Sequence, residues 1–451
     1  MTQSALYRVI AAMVALLWLK GVASTLVDLP PALSQLAVLP LAAMIVCALL
    51  TMVNQIRILC IALAIATGAL AGLYDQWDAI LPGLERATIF PAFLATIVLL
   101  RATADQRPEI AAARRLFSAL GEDERGGGVT VGAFLLGSVL QVGQFAIFAP
   151  IVGRDAPVEE RRRVFMSALR GMALVPFWSP FIVATAVAAI YLPEVPVWQT
   201  MILGLTLAAI AMLMGVTMLE RVGGRLSGPA VIWRALATLA PVMPSIAVAA
   251  LIVVGATVLT DLTTLQALVI AMPVPCVLAV LFAKGGDVRA AARATVANAG
   301  RIGPETSILV FAMTLGLVFE ACLPQMGLGD WLKSLSLGPF AIILIVIMSI
   351  NLAGLCGIHP IVSGAIVLVL FTGIPTGLAD VILMQAMLVG WGLCSSISIG
   401  SLSIAAGAAM FDLSPEGLVT RDNLVFVLTA SILIAVLLWL LNGALIAWGV
   451  E

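Results

Sequence analysis

The sequence predicts an all-α polytopic membrane protein with about eleven transmembrane helices and two opposed re-entrant hairpins in an inverted repeat. Three observations lead there: an extreme apolar composition, runs of span length, and basic loops whose placement makes sense only if two of those runs do not cross. Of 451 residues, 62% are apolar and only 10% are charged, against about 25% charged in a soluble domain. Mean hydropathy is +1.15. So few charges cannot cover a soluble body of this length, which excludes a soluble enzyme, a disordered chain and a nucleic-acid binder. The 23 basic and 24 acidic residues leave a formal net charge of −1, so no bulk charge selects a partner. The lipid bilayer is the expected surrounding.

A helix needs about 20 apolar residues to cross the hydrocarbon core. Runs of that kind fall at 5–23, 30–53, 57–75, 83–101, 128–153, 164–192, 198–219, 232–258, 262–284, 303–324, 336–373, 379–411 and 423–450. The first carries Arg8 and lacks a small-residue cleavage site, so it reads as a span and not as a removed signal. The run 336–373 is nearly twice the length of one crossing and holds Asn351, Gly354, Gly357 and Pro360 near its middle. It reads as a helix, a break, and a helix back.

Cytoplasmic loops collect Lys and Arg. Arg101, Arg107, Arg114, Arg115 and Arg125 precede 128–153, and Arg154, Arg161, Arg162 and Arg163 follow it. Both flanks are therefore cytoplasmic, and 128–153 must be a hairpin turning near Gln141–Gln144. With 336–373 as a second hairpin from the opposite side, Arg57, Arg221, Arg225, Arg234, Lys284, Arg289, Arg293, Arg301 and Arg421 all fall inside; Lys20, Arg86 and Lys333 are exceptions. The expected topology has the N-terminus cytoplasmic and the C-terminus outside, in a bacterial-type inner membrane.

The hairpins align at an offset of 210 residues, with Gln141 over Asn351 and Pro150–Val152 over Pro360–Val362. Each half runs in the same order: a span, an amphipathic stretch (105–120, 329–337), a hairpin, an interrupted span and a final span. An odd number of crossings between the copies inverts the second, the plan of secondary transporters with a site near the midplane.

Irregular backbone survives at membrane depth only where it lines a cavity or is buried in protein. The four interruptions are therefore the candidate site. They supply Gln141, Gly143 and Gln144 at the first tip and Pro176, Trp178 and Ser179 in the first broken span. The second tip supplies Asn351 and Gly354, and the second break supplies Ser395, Ser396 and Ser398. Helix N-termini there suit an anion, and carbonyl, amide and hydroxyl oxygens suit a cation. The serines have a packing role as their plain alternative, and the prolines a kinking role. Arg170 is a candidate anion contact or a snorkelling arginine. His359, the only histidine, is a candidate for proton coupling or a hydrogen-bonded structural residue. Six scattered cysteines without CxxC read as small buried hydrophobes, and no metal site or cofactor is expected. Neither HExxH nor a Walker loop occurs, so ATP-driven transport by this chain alone is not expected. A membrane-embedded enzyme would need clustered ionisable residues in the spans; a channel would not need paired hairpins.

This architecture resembles the ion transporter superfamily, and within it the divalent-anion/sodium symporters and the large membrane subunits of tripartite ATP-independent periplasmic transporters. That symporter family carries Ser-Asn-Thr at each tip; here stand Gln141-Val142-Gly143 and Asn351-Leu352-Ala353, keeping the Asn. The resemblance implies elevator-type alternating access and a homodimer. It implies scaffold helices in 1–82 and 232–284, against repeats 83–219 and 303–450 with broken helices 164–192 and 379–411. The expected function is a secondary transporter, not an enzyme, for a small organic anion such as a mono- or dicarboxylate, with sodium or proton as coupling ion. The alternative within the class is the membrane subunit of a binding-protein-dependent system.

Overall fold

A computed structural model describes residues 3–107, 109, 117, 122–153, 155–222, 225–226, 228–283, 286–398, 401–414 and 417–447. Among the described residues the regular structure is helical apart from a short antiparallel ladder, Arg221–Val222 against Arg225–Leu226. The all-helical, many-span expectation is borne out. The amphipathic stretch 105–120 lies largely outside the described residues.

In chain order the first helices are α1 (Gln3–Leu26), α2 (Pro31–Leu36), α3 (Val38–Thr51), α4 (Asn54–Tyr74), α5 (Ile80–Ala87) and α6 (Ile89–Ala104). Pro31 opens α2, and Asp75 closes α4 in the left-handed conformation at φ 53°. Next come α7 (Glu122–Leu140), a 3₁₀ turn at Gln141–Gln144, α8 (Phe145–Val152), α9 (Val158–Ala173), α10 (Val183–Tyr191) and α11 (Val197–Leu219). They are followed by α12 (Ala230–Leu239), α13 (Met243–Leu259), α14 (Thr264–Ala271), α15 (Pro273–Leu281), α16 (Val288–Ala299), α17 (Gly303–Met326) and α18 (Leu328–Ser334). Thr263 and Gln266 form a capping box that starts α14, and the Asp287 carboxylate caps α16. The chain ends with α19 (Pro339–Leu355), α20 (Pro360–Thr372), α21 (Asp380–Cys394), α22 (Leu402–Met410) and α23 (Arg421–Ala447).

One expected span is not straight. Within 232–258, α12 and α13 meet at 78°. Pro241 sits at that bend and has no N–H to give to the ladder. α12 then packs on α7, with Val231 against Gly127.

Chain contacts divide the molecule into two compact units. The first comprises Met1–Arg107, Gly255–Ser336 and Thr372–Ile374. Here α17 packs on α3, α4 and α5, burying Ala71, Val318 and Cys322. Along α4, Ile58, Ile61, Ile65 and Leu73 stay exposed, an apolar face suited to lipid. The second comprises Pro108–Val254, Leu337–Phe371 and Pro375–Glu451, and it contains both hairpins and both broken spans.

By length and composition Arg125–Val152 would make one crossing. In a continuous helix, residues 132 and 148 would lie about 24 Å apart, yet a methyl group at Gly132 would sit 3.1 Å from the Phe148 ring. Gln141, at φ 49°, reverses the chain, so α7 and α8 form a hairpin. The second hairpin follows from contacts with α21. Ile347 lies beside Gly390 and Gly354 beside Cys394, so α19 runs along α21. His359 stands by Trp391, and Gly364 by Trp391 and Met387, so α20 runs against it. Gly357, at φ 83°, makes the turn.

The two hairpins are opposed. α7 runs along α9, with Thr130 Oγ1 donating to the Ser167 carbonyl at 3.1 Å and Gly171 beside Ala133. α9 and its break run against α21: Gly392 abuts Ala173, and Gln385 abuts Phe177. The following pairs match in length, 16 and 15 residues for α9 and α21, and 9 each for α10 and α22.

Candidate functional site

Both expected breaks exist. In the first half the helix stops at Ala173 and resumes at Val183, with a 3₁₀ turn at Val175–Phe177 around Pro176. The hairpin tip is joined to this break by its side chains. Gln141 Nε2 donates to the Phe181 carbonyl at 2.9 Å, and Ser179 Oγ to the Ser138 carbonyl on α7 at 3.2 Å. Trp178 packs its ring on Phe134, centroids 5.7 Å apart, and its buried Nε1 finds no hydrogen-bond acceptor. Gln144 Nε2 points to Met172 Sδ, and its oxygen is left open. Gly143 stands exposed with open space at its Cβ position.

In the second half the helix stops at Cys394 and resumes at Leu402. A methyl group on Gly354 would run into Cys394 Sγ and lie 3.2 Å from Ser398 Cβ, so the glycine is what lets tip and break meet. Asn351, 1% exposed, donates through Nδ2 to the Ile347 carbonyl at 2.9 Å and to Ser431 Oγ at 3.4 Å, leaving Oδ1 open. Ser395 and Ser396 return their hydroxyls to the carbonyls of Gly392 and Leu393 at 2.6 and 2.7 Å. Ser401 caps α22 by accepting from the Ser403 N–H.

Each tip thus meets its own half's break. The halves are cross-linked by a residue that the sequence reading passed over. Gln385, fully buried in α21, donates from Nε2 to the Phe177 carbonyl of the first break at 3.0 Å and leaves Oε1 open. The signal was available: an amide inside a 15-residue apolar helix is as costly as those at the tips.

Two candidates are engaged inside the protein. His359 Nδ1 accepts the Ile361 N–H at 3.2 Å, so the ring caps the start of α20 and stands edge-on to Trp391. Arg170 does not snorkel. Its Nη2 meets Glu220 Oε1 at 2.5 Å and Ser167 Oγ at 3.2 Å, and its Nη1 meets Asn423 Oδ1 at 2.9 Å. Glu220 was missed because its partner lies 50 residues away, where no local spacing signals the pair. Asn423 Nδ2 goes on to the Ser396 carbonyl at 3.3 Å. This chain of polar contacts therefore ends on the second break. A second ion pair, Arg161 with Asp412 at 3.0 Å, ties α9 to the end of α22.

The arrangement offers three open amide oxygens, at Gln144, Asn351 and Gln385, in segments where the backbone leaves helical geometry. Oxygens of this kind suit a hard cation, and the starts of α10 and α22 present helix N-termini to negative charge. Among the described residues no group of three His, Cys, Asp or Glu is placed to hold a metal ion.

No family model matches the chain, and no curated protein matches it. Among solved structures, the YdaH transporter of Alcanivorax borkumensis, described as having an unusual topology, is similar over 87% of this chain and 98% of its own. The TM-score is 0.51 and the identity 14%. At that identity the likeness is one of fold.

Proposed function

We propose that the chain is a secondary active transporter that moves a small organic anion by elevator-type alternating access, driven by a sodium or proton gradient. It would work as a homodimer in a bacterial-type inner membrane. One observation carries this reading: in each of two oppositely directed halves, a hairpin tip is fastened to the break of the following span. Such a pairing places backbone ends and neutral polar side chains together inside an apolar body, where they can hold an ion and release it again. Amides and hydroxyls exchange hydrogen bonds at about 1 kcal/mol each, which suits binding that must be reversed. The fold likeness to a transporter supports the reading. It bears on neither the substrate nor the coupling ion.

The test is reconstitution in liposomes with a panel of labelled mono- and dicarboxylates, under an imposed sodium gradient and an imposed proton gradient. Saturable, gradient-dependent accumulation of at least one anion is expected. Flux without saturation would make the protein a channel, and no flux of any anion under either gradient would overturn the reading. Asn351→Ala and Gln141→Ala should abolish uptake while the folded protein is still recovered.

A further inference from the structure

We propose that Glu220 is the proton-binding residue of this carrier, its carboxylate and an anionic ligand competing for Arg170 so that anion and proton bind together. The proposal rests on the transporter reading above and names its coupling ion.

Among the described residues, Arg170 at 5% exposure and Glu220 at 3% are the two least exposed charged residues; Arg101 and Glu305, in the first unit, are half-buried. Removing two charges from water costs several kcal/mol per ion, and an apolar pair of similar size would hold the same helices together as well or better. Tethering alone therefore does not explain the charges. The shared carboxylate oxygen is nevertheless well furnished, although Arg170 Nε finds no acceptor. Glu220 Oε1 accepts from Ser167 Oγ at 2.9 Å and from Thr130 Oγ1 at 3.4 Å, besides the Arg170 guanidinium.

The charge balance of the site then sets the coupling. Arg170 carries a permanent positive charge, and in this structure Glu220 neutralises it. If a carboxylate ligand takes the guanidinium, the Arg170–Glu220 contact breaks and Glu220 is left as a lone buried anion. The least costly relief is to bind a proton from water at the freed oxygen. One positive charge then faces one negative charge both before and after loading, and the loaded state holds one proton per anion. Because Arg170 also holds Asn423, which holds the Ser396 carbonyl, the exchange is felt at the second break.

Of the other charged residues on the elements packed here, Glu122, Asp123 and Glu124 of α7 have side chains outside the described residues, and the described ones are engaged or exposed. Arg125 of α7 pairs with Glu160 of α9 at 2.7 Å. Arg163 of α9, Arg234 of α12, and Arg421 and Asp422 of α23 are exposed. The side chains of Arg221 and Arg225, beside Glu220 in sequence, lie outside the described residues.

Two measurements on the full-length protein in liposomes decide the matter. The first is infrared difference spectra at constant pH on adding each isotope-labelled carboxylate of the panel, whose own bands are thereby shifted away. A protonated-carboxyl band that disappears in Glu220→Gln and shifts in Glu220→Asp is expected; no band dependent on residue 220 overturns the proposal. The second uses a carboxylate found by the uptake panel. Glu220→Gln should lose proton-driven accumulation by about tenfold, in the range of a site–site coupling, while exchange of labelled for unlabelled anion continues. Proton-driven accumulation at the wild-type level by that variant overturns the proposal. Should Glu220→Gln fail to fold, Glu220→Asp is measured in its place, where a carboxyl band at the wild-type position overturns the proposal. A wild-type protein that transports no anion refutes the transporter reading, and the infrared result still decides whether residue 220 takes up the proton.

Discussion

The two halves of the second unit share helix lengths but bend by different means. In the first, the break is made around Pro176 and Pro180, and every residue from 171 to 182 is buried. In the second, the break begins with Ser395 and Ser396 folded onto the preceding carbonyls, and the hairpin turn at 355–358 is exposed. A proline bend is set by covalent geometry. A serine bend is set by hydrogen bonds that water or a ligand can replace. The comparison teaches that one inverted repeat can contain a fixed bend and an exchangeable one.

The comparison can be broken most severely at Gly354. Gly354→Val is expected to cost about 3 kcal/mol by overpacking against Cys394, read as a lower Tm in detergent; an unchanged Tm would mean that tip and break are not in contact. Next, Gln385→Leu strands the buried Phe177 carbonyl and should cost about 2 kcal/mol. If unfolding and uptake are both untouched, the halves are not linked there. His359→Ala removes a helix cap worth about 1 kcal/mol, which His359→Asn should restore; a pH profile of uptake that flattens in His359→Asn would instead give the ring a titrating role. Smallest of all, Gly143→Ala at the open first tip should stay within about 0.5 kcal/mol of wild type. A loss as large as that at position 354 would erase the distinction between the tips.

Much of this was legible before any coordinates. Run lengths located the apolar helices, of which nine or ten among the described residues are long enough to cross against eleven expected, and the arginines on both sides of 128–153 identified a hairpin that length alone would count as a crossing. The breaks at Pro176 and Ser395–Ser398 were visible because apolar periodicity is interrupted by residues that disfavour helix. Other features were not read. The bend at Pro241 was hidden in a run of acceptable length, although the proline marked it. Arg170 was seen as an oddity, but its partner could not be found, since contacts across 50 or 253 residues leave no periodic trace. Gln385 was overlooked because attention went to interruptions, while it sits inside an unbroken helix.

The brevity of α10 and α22 has an electrical consequence. Nine residues advance about 13 Å, under half of the roughly 30 Å hydrocarbon slab. A water-filled vestibule reaching either break would leave most of the transmembrane voltage to fall across the short remaining layer. An ion carried between the breaks would then traverse a steep field over a small displacement, so membrane potential would act on the translocation step with nearly its full force.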